Sequence, residues 1–482
     1  MIKNNRILDT VIIALCFIFI STAVKAIDGE IITYSIDDCI EIAIKNDPNL
    51  KITTNKHQAA KSQVGQAKSD YFPALTGTSG YTFENSANSA NNNNFSNLSS
   101  NGNSYYTVNL GVNQLVWNFG KTIAKINMKK YNYEATGYDV DYALLTTIYK
   151  VKIAYYKVLA AKANYDVFYR SVNINRLQYE RASTLFEEGL KSKIDVVNSE
   201  VYLTDAEIKL ISAENTYKTA LIELNNAMYY TNAPTYGIKN TESFNFHKAQ
   251  PVTNEINIAF KDKKDDIAQA AVLTSHIEKN NILQNFEFSP FEISMDDAIK
   301  KAEENRPDLH SLLLVEKAQE EALKALKLAY MPDIKLSAGY NFRHLNSANN
   351  NAFNAALGLN FPTVNIMDIK CKIEEGESYL DMAVNNIDLA KKNIYFEVQN
   401  NYVNMVQTQK RIPLLAQKVA QTLENFELAD GRYTVGLGNF IELQDAQTNY
   451  NNAQLAYVQA VFDYNVSKVQ LEKSMGVKWI KN

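Results

Sequence analysis

Two carboxylate pairs, Asp37-Asp38 and Asp296-Asp297, are the most obvious candidates for acid–base chemistry in this chain. Their surroundings argue for another role. Ser35 and Ser294 stand three residues before Asp38 and Asp297, the spacing at which a serine and an acidic residue close a helix N-terminus reciprocally. Nothing nucleophilic or metal-binding accompanies either pair. The histidines (His57, His247, His276, His310 and His344) are scattered without partners at metal-ligand spacing, and Cys16, Cys39 and Cys371 form no disulfide framework. The sequence also lacks a nucleophile elbow and a phosphate loop. Enzyme chemistry is therefore not expected, and neither is a metal or other cofactor.

Two further polar clusters follow glycine-leucine pairs. Gly189-Leu190 leads to Ser192 and Asp195, and Gly436-Leu437 leads to Asn439, Glu442 and Asp445. An aromatic residue, Phe186 or Tyr433, precedes each glycine by three positions. Glycine at the end of a long helical run fits a left-handed C-cap, with the leucine packing as its apolar companion. Ser192 with Asp195, and Asn439 with Glu442, have the spacing of capping pairs for the helix that follows.

The N-terminus indicates export. Lys3 and Arg6 precede an apolar run from Val11 to Ala23, and Val24-Lys25-Ala26 supplies small residues for signal-peptidase cleavage after Ala26. That run, about 13 residues, is shorter than the roughly 20 a membrane-spanning helix needs. Cys16 follows Leu15 in mid-run, which does not fit a lipoprotein signal. The whole chain of 482 residues carries a net charge of −4; losing Lys3, Arg6 and Lys25 with Asp9 leaves −6. This balance gives no electrostatic basis for nucleic-acid binding.

The sequence repeats internally. Ser35-Ile-Asp-Asp-Cys-Ile matches Ser294-Met-Asp-Asp-Ala-Ile at an offset of 259 residues, which holds through Pro48/Pro307, Pro73/Pro332 and Phe83/Phe342. Further on, Leu110-Gly-Val-Asn113 matches Leu357-Gly-Leu-Asn360 at an offset of 247, which carries through Asn118/Asn365, Gly189/Gly436 and Met228/Met475. The offsets differ by 12 residues, which the longer run Glu84–Ser104 against Arg343–Asn351 accounts for. Each copy reads helix, long helix, strand, strand, very long helix, helix.

Four segments alternate with a period of two, at about 75–84, 105–117, 334–343 and 352–362. Tyr106, Val108, Leu110 and Val112, for example, interleave with Thr107, Asn109 and Gly111. Strands of this length with one apolar and one polar face suit an outer-membrane barrel, and a half-buried soluble sheet would alternate the same way. Export and the flanking polar loops, Ala87–Ser104 and Asn346–Asn351, favour the membrane. Four strands cannot close a barrel, so several chains must share one. The helical segments are too long for a globule: Lys121 to Glu188 runs without proline. Leu203, Ala206, Leu210, Ala213, Tyr217, Ala220 and Leu224 form a seam of alternating steps of 3 and 4, copied at Tyr450, Ala453, Tyr457, Ala460, Tyr464, Ser467 and Leu471. Such a seam is coiled-coil packing. Pro413, which replaces Asp166 of the first copy, predicts a kink.

Duplicated halves of this kind resemble the TolC family of outer-membrane efflux proteins. The family's helical-tip motif is matched by Tyr433-Thr-Val-Gly-Leu-Gly-Asn-Phe-Ile-Glu-Leu-Gln-Asp-Ala446 and, in the first copy, by Phe186-Glu-Glu-Gly-Leu-Lys-Ser-Lys-Ile-Asp-Val-Val-Asn-Ser199. The resemblance implies a mainly α protein with a membrane β-barrel: a homotrimer with one twelve-stranded barrel in outer-membrane lipid, continued by a periplasmic coiled-coil tunnel. It implies a passive exit duct in efflux or type I secretion, joined by a periplasmic adaptor to an inner-membrane transporter of RND, ABC or MFS type. By motif position, Glu442 and Asp445, with Asp195 nearby, would ring the closed entrance. Tyr433 would hold it shut by hydrogen bonding, and Gly189-Leu190 and Gly436-Leu437 would dock the adaptor. Gly438 departs from family members that carry a basic residue there. A periplasmic coiled-coil adaptor or scaffold is the alternative reading, although it would lack the strand pairs.

The expected organisation is a signal peptide at 1–26, a first repeat at 27–230 with its tip at about 186–196, an equatorial segment at 231–293, and a second repeat at 294–482 with its tip at about 433–443. The charge run Lys261–Asp266 within the equatorial segment reads as a solvated surface.

Overall fold

Serine caps and prolines set the local grammar of the chain, which the computed structural model describes for residues 33–86, 101–234, 236–239, 291–345, 348–362 and 365–478. The expected signal peptide, most of the first polar loop (87–100) and most of the equatorial segment (240–290) lie outside the described residues. The elements are β1 (Thr33–Tyr34), α1 (Ile36–Asn46), α2 (Pro48–Ser69), β2 (Ala74–Ser86), β3 (Asn101–Trp117), α3 (Lys121–Glu187), α4 (Lys193–Ala227) and β4 (Gly237–Ile238). After these come α5 (Met295–Asn305), α6 (Pro307–Lys327), β5 (Asp333–Leu345), β6 (Ala348–Asn360), α7 (Ile366–Thr434) and α8 (Phe440–Ser474). Helix, helix, strand, strand, long helix, helix therefore occurs twice.

Ser35 accepts the Asp38 backbone N–H at 3.2 Å while the Ser35 N–H donates to Asp38 Oδ2 at 2.9 Å, so Ser35 caps α1 and Asp38 closes the capping box. Ser294 accepts the Asp297 N–H at 3.1 Å in the same way at α5. Pro48 and Pro307 open α2 and α6 at the first turn, where a missing N–H costs nothing.

The four long strands form one antiparallel sheet in the order β2-β3-β5-β6. Register aligns like with like across it. Gly77, Leu110, Tyr340 and Phe353 form one transverse row, and Leu75, Val112, Ala338 and Ala355 another. Between them lie Thr76, Gly111, Gly339 and Asn354, and beyond the first row come Thr78, Asn109, Asn341 and Ala352. One face is thus apolar across all four strands and the other polar. Among the described residues the apolar face is left open: Leu75, Leu110, Phe353 and Leu357 are 83%, 58%, 74% and 69% exposed. On the polar face, strand approach is close enough that a Cβ at Gly111 would stand 2.7 Å from Thr76 Oγ1.

Two loop boundaries differ from expectation, and the first is that Asn101–Ser104 of the expected polar loop belongs to β3, paired with Phe83–Ser86. Ala348–Asn351 belongs to β6, paired with Phe342–Leu345, where the asparagine-rich composition suggested a loop. Ladder hydrogen bonds to β5 outweigh the poor strand propensity of asparagine.

The two longest helices, of 67 and 69 residues, each extend about 100 Å at 1.5 Å per residue. Along α7, Val398, Met405, Ile412, Val419, Phe426 and Tyr433 are buried at every seventh position. The repeat passes Pro413 without a change of phase, and the proline lies inside one continuous helix. The predicted α8 seam is buried at Ala453, Tyr457, Ala460, Tyr464, Ser467 and Leu471. On α4 only Ala206, Ala213, Ala220 and Leu224 of the seam are fully buried.

The main core gathers Ile40, Tyr155, Leu224, Met228, Leu471 and Met475. Tyr155 donates to the carbonyls of Lys239 at 2.5 Å and Tyr34 at 3.2 Å, fastening the parallel β1–β4 pair to α3. Nearby, buried Arg306 is held by Asp308 at 2.7 Å and Glu397 at 2.5 Å. Among the described residues, no helix is long and apolar enough to cross a membrane.

Candidate functional site

The α3–α4 and α7–α8 turns place the candidate residues. Each turn is built on a glycine that side chains would strain, Gly189 at φ +74° and Gly436 at φ +80°. Beyond it the chain folds back: the Leu190 and Lys191 N–H groups donate to the Leu185 carbonyl, and those of Leu437 and Gly438 donate to the Arg432 carbonyl. These bonds satisfy the orphan carbonyls at each helix end. Leu190 and Leu437 do not pack as the expected apolar companions. They are 66% and 77% exposed and project from the two turns.

Asn439 Oδ1 accepts the Glu442 N–H at 2.7 Å, so Asn439 caps α8. At α4, Ser192 Oγ instead takes the Ile194 N–H at 3.2 Å, and Asp195 is not its reciprocal partner. The Glu442 carboxylate pairs with Arg432 across the turn at 3.0 Å, whereas Asp445 is exposed and has no ion pair among the described residues. Arg432 was not apparent from the motif. Gly438 itself has little room, since a Cβ there would stand 3.0 Å from the Tyr433 nitrogen.

Tyr433 is buried in the hairpin core with Phe426, Phe440 and Leu443, its ring meeting Phe440 edge-on at 5.8 Å. Lys191 Nζ lies 4.7 Å from the ring centroid, which ties the first-repeat turn to the second. The hydroxyl is buried without a hydrogen-bond partner among the described groups. Burial pushes its pKa up to about 12; Asp195 acts in the same direction and Arg181 opposes it.

A polar seam joins α3 to the second-repeat hairpin just above the turns. Arg181 Nη1 donates to Asp430 Oδ1 at 2.9 Å and to Thr434 Oγ1 at 3.2 Å. Next along the seam, Gln444 donates to Gln178, and Asn451 donates to Ser171 Oγ at 2.9 Å. Gln447, 1% exposed, leaves both amide atoms unpaired. None of these residues stands out in sequence, because each resembles an ordinary polar helix position until its partner is known.

A family model described as "Outer membrane efflux protein" matches residues 39–228 and 298–477. The chain belongs to that family. It is therefore an outer-membrane protein of the TolC family, with its helical part in the periplasm. Outer membrane protein TolC of Escherichia coli is 20% identical over 444 residues, 89% of this chain and 80% of that one. The probable efflux pump outer membrane protein TtgC of Pseudomonas putida is 23% identical over 181 residues, which span 36% of this chain and only 37% of that protein. Among solved structures, CusC superposes with a TM-score of 0.72 at 14% identity, covering 92% of this chain and 93% of that one. That superposition extends the likeness in fold over both strand pairs and both long hairpins.

Proposed function

We propose that three copies of this efflux protein close a twelve-stranded barrel and serve as the passive exit duct of a tripartite efflux system. The observation that carries this reading is the apolar face continuous over β2, β3, β5 and β6, unpartnered among the described residues. Lipid would cover that face, and the polar face would line a water-filled bore. The outer strands of the sheet, β2 and β6, would pair with neighbouring copies.

At the periplasmic end, Glu442, Asp445 and Asp195 would come together threefold and concentrate negative potential at the entrance. Tyr433 would hold its hairpin by packing, since its hydroxyl has no partner among the described groups. The exposed Leu190 and Leu437, each beside a glycine turn, are suited to docking a periplasmic adaptor, which would connect the duct to an inner-membrane RND, ABC or MFS transporter. Type I secretion would use the same duct with a different transporter.

Detergent extraction followed by mass determination and planar-bilayer recording tests this proposal. The expected result is a detergent-dependent trimer that gives discrete conductance steps. A monomer that stays soluble without detergent would overturn it and favour a periplasmic scaffold.

A further inference from the structure

Among the charges on the polar face of the sheet, Arg343 is one that the duct described above does not use. Arg343 pairs with Thr107 on β3 and Asn350 on β6, in the row two residues beyond Asn109 and Asn341. It therefore stands on the polar face, while its neighbour Phe342 stands on the other. Its guanidinium carbon lies 3.7 Å from the ring centroid of Tyr105, a residue of the same face. Stacking on an aromatic ring orients a guanidinium without cancelling its charge.

No carboxylate among the described side chains forms an ion pair with Arg343, in contrast to the other charges along β5. Lys335 and Asp333 sit 3.7 Å apart at the opposite end of the strand, and Asp333 is also held by Lys121 at 2.6 Å. The nearest acidic position in register, Glu84 on β2, pairs with Asn103. That is four residues along β3 from Thr107, about 13 Å at 3.3 Å per residue. Among the described side chains, Arg343 is thus a positive charge oriented by a ring and held by no carboxylate.

We propose that Arg343 makes the barrel bore an anion-attracting stretch, which favours solutes bearing carboxylate or phosphate groups over cations. The proposal rests on the barrel reading, in which three copies place three guanidinium groups around one water-filled bore. Its sign is opposite to that of the carboxylates at the periplasmic entrance, so the two ends of the duct would select by different rules.

Reversal potentials of the whole purified protein in planar bilayers, under a potassium chloride gradient at low salt, test the assignment. R343Q should lower the chloride-to-potassium permeability ratio roughly twofold or more, the field of three charges being lost. R343K, which keeps the charge, should retain the wild-type ratio. N341R, which adds a charge one row away, should raise it. Inorganic pyrophosphate should reduce chloride current through the wild type and not through R343Q. Equal permeability ratios in R343Q and the wild type would overturn the role of Arg343 while leaving the channel intact. Absence of conductance in every variant would overturn the barrel itself and the proposal with it.

Discussion

Arg181 on α3 and Asp430 on α7 are 249 residues apart in sequence and 2.9 Å apart in space. This pair, with Thr434 as a second acceptor, links the first-repeat hairpin to the second just above the turns. Asp430 is 5% exposed and has no other cation among the described residues, so the link carries a buried charge.

Removing one member of the pair should loosen the tip. Arg181→Ala strands the Asp430 carboxylate and is expected to cost about 2–3 kcal/mol locally, below the range for a fully buried pair because Arg181 is 28% exposed. Hydrogen exchange at the end of α7 should accelerate and single-channel conductance should rise. Replacing both partners by apolar residues, as in R181M with D430L, should restore protection. Unchanged exchange in R181A would show that the pair does not hold the hairpin.

The entrance carboxylates should not be equivalent. Arg432 already partners Glu442, whereas Asp445 is exposed without an ion pair among the described residues. Block of the channel by a trivalent cation should therefore weaken more in D445A than in E442A, and most in the double variant. R432A should strengthen the block. Block equal to that of the wild type in all four variants would remove these residues from the entrance.

Tyr433 separates packing from hydrogen bonding. Y433F should leave conductance near the wild-type value, because the hydroxyl it removes has no partner among the described groups. Y433A, which empties the space beside Phe426 and Phe440, should open or destabilise the hairpin. A conductance increase in Y433F would establish that the hydroxyl bonds across to a neighbouring copy.

Alkaline pH should act through the same kind of group. Burial raises Tyr433, Tyr156 and Tyr457 to about 12 from an ordinary value near 10. A raised folded-state value means that this stabilisation is complete below about pH 10 and is lost as pH rises through 12. Helicity and delayed tyrosinate absorbance should break together in that window. Full ionisation of the tyrosines with helicity retained would contradict the burial.

The two sheet faces predict opposite tolerances. Leu110→Lys on the exposed apolar face should cost about 2–4 kcal/mol if the residue lies near the middle of the bilayer, whereas Asn109→Lys beside it should be nearly neutral. Equal yields of folded protein in detergent would contradict the assignment of faces.

Most of the fold is written locally and was legible for that reason. Period-two alternation marks β3 around Tyr106–Val112, and the uninterrupted run after Lys121 marks α3. Glycines 189 and 436 announce turns because few other residues accept their backbone angles. What sequence hides is partnership. Arg181 and Asp430 look like solvated helix charges until two hairpins are laid side by side, and Gln178 looks no different from any surface glutamine until Gln444 meets it. Asn349–Asn351 were obscured in another way: their composition belongs to loops, and only the opposing strand makes them part of β6.

The same sheet has a consequence for biogenesis. β2 and β6 flank it, each with one side unpaired among the described residues. A freshly exported copy that has not met its siblings is therefore adhesive along two borders and greasy across one surface. Insertion into lipid and assembly with sister copies must proceed hand in hand, and a cell that makes the protein faster than it can assemble it should accumulate insoluble aggregates outside the inner membrane.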